Sequence, residues 1–256
     1  MVVGGRAAMA NRMKKRGHVR PVARVGRVRR VLAAALFGLL IWSIGSVVLL
    51  RWVNPPTTAF IVADRIHAWV DGEPGYRFQQ RWVDWSQISS SAKLAVIASE
   101  DQRFADHFGF DLVEIEHAIE QRNQGRTQRG ASTITQQTAK NLFLWSGQSW
   151  IRKGLEAYFT LLIETFWPKT RILEMYLNVA EFGQGVYGVG AASERFFRQP
   201  AARLNRSQSA LLAAVLPNPT TLRVNSPSRY VRMRQDWILQ QMDALGGEHH
   251  VTDLDE

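Results

Sequence analysis

A run of 20 uncharged residues, Val31 to Leu50, places the strongest constraint on what this chain can fold into. A helix of this length measures about 30 Å at ~1.5 Å per residue, which matches the hydrocarbon core of a bilayer. A cleaved signal peptide has a shorter apolar core of about 7–15 residues, followed by small residues. Arg51 and Trp52 follow here instead. The run therefore predicts a single transmembrane anchor over residues 31–53.

The charge of the chain is concentrated before this anchor. The chain has 32 Lys and Arg against 22 Asp and Glu, a net charge of +10. Residues 1–30 contain ten of the basic residues and no acid, so the remainder carries 22 of each sign. The positive-inside rule predicts that residues 1–30 are a basic cytoplasmic arm and that the rest lies outside the cytoplasm. Because the body is neutral, we expect no nucleic-acid partner.

The remaining sequence predicts a mainly α domain over residues 54–246, followed by an acidic flexible tail over residues 247–256. Residues 59–90 mix β-branched and aromatic residues with turn signals, which favours one or two short strands. From Ser90 the apolar spacing and the capping residues predict successive helices. These cover residues 91–102, 111–123, 132–143, 149–167, 170–179, 189–197, 207–215 and 228–245. With no cysteine in the chain, a disulfide scaffold and a thiol nucleophile are excluded.

Three polar segments are candidates for chemistry. In the first, Glu100 and Asp101 end an apolar helix, where an opposed dipole and burial raise the pKa of a carboxyl and suit it to act as a base. On this segment alone, a solvated Glu100 beside a neutralising Arg103 is the favoured explanation. In the second, Thr133, Gln136 or Gln137, and Lys140 share one helix face, which suits an anionic ligand such as a diphosphate. An ordinary exposed polar face is the alternative.

The third segment places Arg152 and Lys153 before Glu156. Arg152 and Glu156 are four residues apart, so a surface ion pair worth about 0.5 kcal/mol is one interpretation. A second carboxylate flanked by two phosphate-binding cations is the other. Between the second and third segments lies an apolar, aromatic stretch that includes Trp145 and Trp150. It is either core or a surface that dips into the membrane.

Taken together, these segments resemble the peptidoglycan glycosyltransferases of glycosyltransferase family 51, specifically the monofunctional biosynthetic transglycosylases. Five motifs over residues 100–219 carry the resemblance. They are Glu100-Asp101-x-x-Phe104-x-x-His107-x-Gly109-x-Asp111; Gly130-x-Ser132-Thr133-Ile134-Thr135-Gln136-Gln137-x-x-Lys140-Asn141; Arg152-Lys153-x-x-Glu156; Ile172-Leu173-Glu174-x-Tyr176-Leu177-Asn178 with Phe182-Gly183-x-Gly185-x-Tyr187-Gly188; and Leu211-Leu212-Ala213-Ala214-x-Leu216-Pro217-Asn218-Pro219. One departure is Gln208-Ser209-Ala210, where the family usually has Glu-Ala-Ala.

The resemblance implies a lysozyme-like α domain with a head lobe and a small membrane-apposed jaw around residues 142–167, rich in Trp145, Trp150 and Trp167. It implies polymerisation of lipid II into β-1,4 glycan strands, with inversion and release of undecaprenyl diphosphate. Glu100 and Glu156 are then the catalytic residues, with Glu100 as the general base. The implied substrate-binding residues are Asp101, Phe104, His107, Ser132, Thr133, Gln136, Gln137, Lys140, Asn141, Arg152 and Lys153.

The resemblance implies no required cofactor and no metal ligands, although a divalent cation, Mg²⁺ or Mn²⁺, could share the diphosphate charge. The implied partners are lipid II, the growing glycan chain on undecaprenyl diphosphate, membrane lipid, and proteins of cell division or elongation. The implied location is the bacterial plasma (inner) membrane, with the catalytic domain periplasmic. Two other classes stay open: a lysozyme-like glycan hydrolase and a non-catalytic membrane scaffold of the cell-wall machinery.

Overall fold

The chain is mainly helical in a computed structural model that describes residues 22–72, 76–124, 132–147, 149–252 and 254. It divides into two compact units, residues 1–44 and 45–256. The helices are α1 (Val22–Leu50), α2 (Ala59–Val70), α3 (Ser90–Glu100), α4 (Leu112–Asn123), α5 (Ile134–Phe143), α6 (Trp150–Phe166), α7 (Lys169–Val179), α8 (Val189–Phe197), α9 (Arg206–Val215), α10 (Arg229–Ala244) and α11 (His249–Thr252). The strands are β1 (Gln79–Gln80), β2 (Glu181–Gly183) and β3 (Val186–Tyr187).

The first unit contains most of helix α1. Within the described residues, Arg27–Leu50 is the one stretch of helix that is long and apolar enough to cross a membrane. Its large apolar side chains, such as Leu36 and Phe37, are exposed, which suits lipid rather than water. The helix agrees with the predicted anchor. Residues 1–21 of the predicted basic arm lie outside the described residues.

Helix α3 runs through the core of the second unit, and this explains where its last residue lies. Ser89 caps the helix by accepting a hydrogen bond from the Ala92 amide. The side chains from Ala92 to Ala98 are buried all round the helix, including Leu94 and Ile97. Helices α9 and α10 pack against it. A helix that is apolar all round needs such cover, and it delivers Glu100 to the edge of the core.

The segment after the anchor differs from the sequence prediction. Residues 59–90, predicted to contain one or two short strands, contain the two-residue strand β1 but also helix α2. Thr58 caps this helix by accepting a hydrogen bond from the Ile61 amide. Ile61 and Ala68 then bury one face, and helix α2 packs on α5. The β-branched and aromatic residues of this segment fit that half-buried helix as well as they fit a strand.

The second unit also contains a small three-stranded sheet. Strand β1 pairs in parallel with β3, and β2 pairs with β3 in antiparallel. The turn between β2 and β3 requires glycine at Gly185, since its φ is +71° and a Cβ there would lie 2.8 Å from the carbonyl oxygen of Arg77. The family-typical glycines of this segment therefore build a hairpin.

An acidic side chain lies half-buried beside this sheet. Glu181 in β2 accepts a hydrogen bond from the Gly185 amide at 3.0 Å. Burial raises the pKa of Glu181 to about 7, repulsion from Asp64 adds to the rise, and the Gly185 hydrogen bond opposes it. Asp64 itself accepts a hydrogen bond from the Tyr76 hydroxyl at 2.7 Å. Helix α2 and the hairpin thus share a half-buried acidic junction.

Gln208, the departure from the family pattern, completes the cap of helix α9. Its side chain accepts a hydrogen bond from the Asn205 amide, and the Asn205 side chain accepts one from the Gln208 amide.

The segment predicted as a flexible tail is folded as far as Thr252. Ser91 donates to the Glu248 carboxylate at 2.6 Å, and Val251 is buried, so burial of one apolar residue is enough to dock it.

Candidate active site

Glu100 is the last residue of helix α3, as predicted, and its side chain is only 12% exposed. Its Oε2 accepts a hydrogen bond from Nε2 of Gln137 at 2.9 Å. Burial raises the pKa of Glu100, while the Gln137 hydrogen bond and the Arg234 cation lower it. Since a carboxylate removed from water binds a proton more strongly, this side chain has the character of a base.

The two oxygens of Glu100 are held by different helices. Arg234 of α10 places Nη2 3.4 Å from Oε1, and Gln137 of α5 holds Oε2. The amide of Gln137 is fixed in turn, because its Oε1 accepts a hydrogen bond from the Tyr176 hydroxyl of α7 at 3.2 Å. Three helices therefore orient one carboxylate.

Thr133 and Gln136 form the N-terminal cap of helix α5. Thr133 accepts a hydrogen bond from the Gln136 amide, and the Gln136 side chain accepts from the Thr133 amide. Thr133 also donates to the carbonyl of Gly109 at 2.7 Å. Of the two glutamines left open by the sequence, Gln137 is the one that reaches Glu100. The polar atoms of Thr133 and Gln136 serve the fold.

The residues after Glu100 form a wall behind the site. Asp101 accepts a hydrogen bond from the Ile134 amide at 3.0 Å and pairs with Nε2 of His107 at 2.8 Å. Phe104 is fully buried, and the Lys169 ammonium lies 4.7 Å from the centre of its ring. Asp101 thus ties the start of helix α5 to the end of helix α3, and His107 holds Asp101 in place, while Phe104 packs against Lys169 of helix α7.

Glu156 of helix α6 is 3% exposed and lies between two cations. Arg152 donates to its Oε2 at 2.8 Å, and Lys153 donates to its Oε1. The Lys153 ammonium also lies 3.5 Å from the hydroxyl of Ser132. Because the side chains of Glu156 and Arg152 are both largely buried, a plain surface ion pair does not describe them, and the carboxylate is flanked by two cations.

Lys140 lies within electrostatic range of both carboxylates, Glu100 and Glu156. It lies one turn after Gln137 on helix α5, and it is attracted electrostatically by both Glu156 and Glu100. Burial lowers the pKa of Lys140; Arg152 and Lys153 lower it further, and the two carboxylates raise it. The ring of Phe60 from α2 covers it, with the ammonium 5.6 Å from the ring centre. Asn141, the next residue, is 8% exposed.

A cavity of about 780 Å³ opens in front of Glu100. Five residues of the predicted site line it: Glu100, Asp101, Ser132, Thr133 and Gln137. Its other wall is one face of helix α10, formed by Tyr230, Arg234, Trp237 and Gln241. The cavity is within the range of 300–1,000 Å³ typical of ligand sites, and it mixes aromatic and polar walls.

Sequence reasoning missed Arg234, Tyr176 and Phe60 as parts of the site. Arg234 is 134 residues from Glu100 in the chain, and Phe60 lies in a segment predicted as strand. Tyr176 falls within one of the family motifs, and this position in a motif could have marked it as a site residue. Nothing local marks Arg234, because an arginine on a polar helix face is ordinary.

The residues present do not fit a divalent cation well. Asp101, His107 and Asp111 have ligand atoms within 4.8 Å of one another. However, Asp101 is already bonded to His107 and to the Ile134 amide, and Asp111 caps helix α4 while pairing with Arg103. These oxygens hold the fold, so we derive no step through a metal.

Comparison with known proteins agrees with this geometry. Residues 68–243 match the model of the family described as Transglycosylase. A biosynthetic peptidoglycan transglycosylase of Salmonella agona is 52% identical over 235 residues, 91% of this chain and 97% of that protein. One of Pseudomonas putida is 53% identical over 226 residues, 88% of this chain and 95% of that protein. The motifs, the fold and these similarities agree: the chain belongs to the transglycosylase family.

Proposed function

We propose that this chain is a peptidoglycan glycosyltransferase that polymerises lipid II into β-1,4 glycan strands. The donor is the growing chain on undecaprenyl diphosphate, and the acceptor is the next lipid II. The names of the similar proteins support the activity. The observation that carries the mechanism is that Lys140 lies within electrostatic range of the desolvated carboxylate Glu100 and also of Glu156, Arg152 and Lys153.

Glu100 acts as the general base. The oxygen of the acceptor 4-hydroxyl attacks the anomeric carbon of the donor, and its proton passes to Glu100. The bond from the anomeric carbon to the diphosphate breaks, and the electron pair leaves with undecaprenyl diphosphate. Attack from the face opposite the leaving group converts the α linkage to β. The raised pKa of Glu100 supports this role, because a base is most effective when its pKa is near the working pH.

Lys140, Arg152 and Lys153 stabilise the diphosphate as its charge grows. Such fixed charges contribute most where water is excluded. Lys140 is half-buried and the Arg152 side chain is 12% exposed, so these two cations meet that condition better than Lys153, which is 45% exposed. Glu156 holds Arg152 and Lys153 in place through the two ion pairs described above. It thus assists departure of the diphosphate or orientation of the acceptor. Mg²⁺ or Mn²⁺ at the diphosphate stays a prediction from the resemblance.

The membrane arrangement belongs to the same proposal. The basic arm lies in the cytoplasm, and residues 54–252 lie on the periplasmic side of the bacterial inner membrane. Trp150 is 93% exposed and Ile151 77% exposed, which supports contact between the start of helix α6 and lipid. Leu142 and Leu144, expected to share that contact, are buried. So is Trp167, which donates to the Val47 carbonyl at 2.7 Å. Division or elongation proteins stay predicted partners.

One experiment separates this function from the alternatives. The detergent-solubilised full-length protein is incubated with labelled lipid II and, separately, with preformed glycan strands. Polymer from lipid II supports the proposal. Cleavage of glycan without polymer would identify a hydrolase, a function that needs no cluster of phosphate-binding cations. If neither product forms, the scaffold interpretation is favoured, although a scaffold would not require Glu100 and Glu156.

A further inference from the structure

Arg234 is the charged side chain closest to Glu100 that sequence reasoning did not assign. Its guanidinium is 16% exposed and lies 3.4 Å from Oε1 of Glu100. Its buried Nε has no hydrogen-bond partner among the described residues. Glu100 is thus the acid with which this arginine pairs in the described part of the chain.

Helix α10 presents Arg234 to the core in a fixed position. Val231 and Ile238, three residues before and four residues after it, are fully buried. Residues at this spacing share one face of a helix, so Arg234 is on the face that packs against α3. Ser228 caps the helix by accepting from the Val231 amide. The guanidinium therefore belongs to a rigid element.

The Glu100 carboxylate needs a rigidly held partner such as Arg234. Glu100 ends its helix, where backbone contacts on one side are lost, and Gln137 holds only Oε2. Without Arg234, the Glu100 carboxylate would keep the Gln137 and Ser99 hydrogen bonds but would lose its ion pair with helix α10. A base must be held within a fraction of an ångström of its productive geometry, and misplacement by 1 Å can cost 10²-fold in rate.

We propose that Arg234 is a positioning residue that holds Oε1 of Glu100 and thereby aims the carboxylate at the acceptor hydroxyl in the cavity. This inference rests on the proposed function, because it assigns a partner to the proposed base. Arg234 has a second effect, since its positive charge favours the ionised form of Glu100. Other groups also act on Glu100. These are Asp101 beside it, the Gln137 and Ser99 hydrogen bonds, and Lys140 and Tyr176 within electrostatic range.

The test is the pH dependence of lipid II polymerisation by full-length Arg234→Met in detergent. We expect kcat to fall about 10- to 100-fold, with KM changed less. Loss of the cation raises the pKa of Glu100, so the acidic limb of the kcat/KM profile should move to higher pH. Arg234→Lys keeps the charge and should keep the limb near its original position. Arg232→Met is the matched control, because Arg232 is exposed on the same helix, and it should behave as wild type.

A double-mutant cycle identifies the route of the effect. If Arg234 acts through Glu100, Arg234→Met should cost almost nothing further in a Glu100→Gln background. An equal loss in both backgrounds, or an unmoved acidic limb, would overturn the inference even if wild type makes polymer. Absence of polymer from wild type would instead overturn the proposed function. Should Arg234→Met fail to fold, Arg234→Gln keeps a hydrogen-bond donor without the charge and must show the same shift of the limb.

Discussion

Glu100→Gln should lower activity without lowering stability, because the buried carboxylate is needed for the reaction but is unfavourable for folding. The substitution keeps the shape of the side chain and an oxygen to accept the Gln137 hydrogen bond. It removes the base, whose contribution is typically about 10²–10⁴-fold, or ~3–5 kcal/mol of activation free energy. Polymerisation of labelled lipid II by the full-length variant in detergent should fall by at least about 10²-fold, while lipid II still binds.

Stability should respond in the opposite direction. The pKa of Glu100 is raised in the folded state, so the folded protein holds this proton more tightly than the unfolded chain. Stability from this group is present at low pH and is lost as pH rises through the raised pKa. Glutamine carries no charge at any pH. The denaturation midpoint of Glu100→Gln should therefore equal or exceed that of wild type at neutral pH.

The matched control is Glu116→Gln on the exposed face of helix α4, which should change neither rate nor midpoint by a measurable amount. Near-normal polymerisation by Glu100→Gln, in a protein with an unchanged circular dichroism spectrum, would refute the base assignment. A loss of activity accompanied by a large drop in midpoint would refute it in another way. In that case Glu100 would be a structural residue.

Four further outcomes are expected. Lys140→Ala should lower both kcat and donor affinity in lipid II titrations, because a desolvated cation at the diphosphate is lost; an effect on kcat alone would contradict that role. Glu156→Gln should reduce polymerisation at least tenfold by releasing Arg152 and Lys153, and wild-type rates would exclude it from the site. For Glu181, whose pKa is raised to about 7, the denaturation midpoint of wild type should fall from pH 5 to pH 8 as its proton is lost. Glu181→Gln should reduce that fall, and an identical pH dependence would show that the acid is not buried in solution. A reporter fused after Glu256 that works only outside the cytoplasm should be active, and activity of a cytoplasmic reporter there would reverse the topology.

Helices with clear caps were predictable from the sequence, and helices with weak ones were not. Asp111, Ser149 and Ser228 precede their helices in the sequence and cap them in the structure. Helix α2 was not predicted within residues 59–90, where only short strands were expected, since its cap, Thr58, follows two prolines and another threonine and gives no distinct signal. The sheet could not be located either, because strands of two or three residues are set by tertiary pairing.

The candidate site divides in the same way. Glu100, Gln137, Lys140 and Glu156 were predicted and come together, because each lies in a motif with recognisable local chemistry. Asp101, Phe104 and His107 were assigned to substrate; in the structure Asp101 bonds to the start of α5, His107 bonds to Asp101, and Phe104 is buried against Lys169. A motif does not distinguish a residue that contacts substrate from one that positions its neighbour, since both are needed for the same reaction.

Burial of Glu100 explains why so much of the fold is devoted to one carboxylate. An ionised acid without partners would be strongly unfavourable in the core, and a fully paired one would be a weak base. The structure lies between these limits: Gln137 and Arg234 each supply one contact, at 2.9 and 3.4 Å, and neither cancels the effect of burial. Arg234 at that distance stabilises the ionised form less than a close bidentate pair does. A substitution that shortened this ion pair should therefore stabilise the protein and slow the reaction.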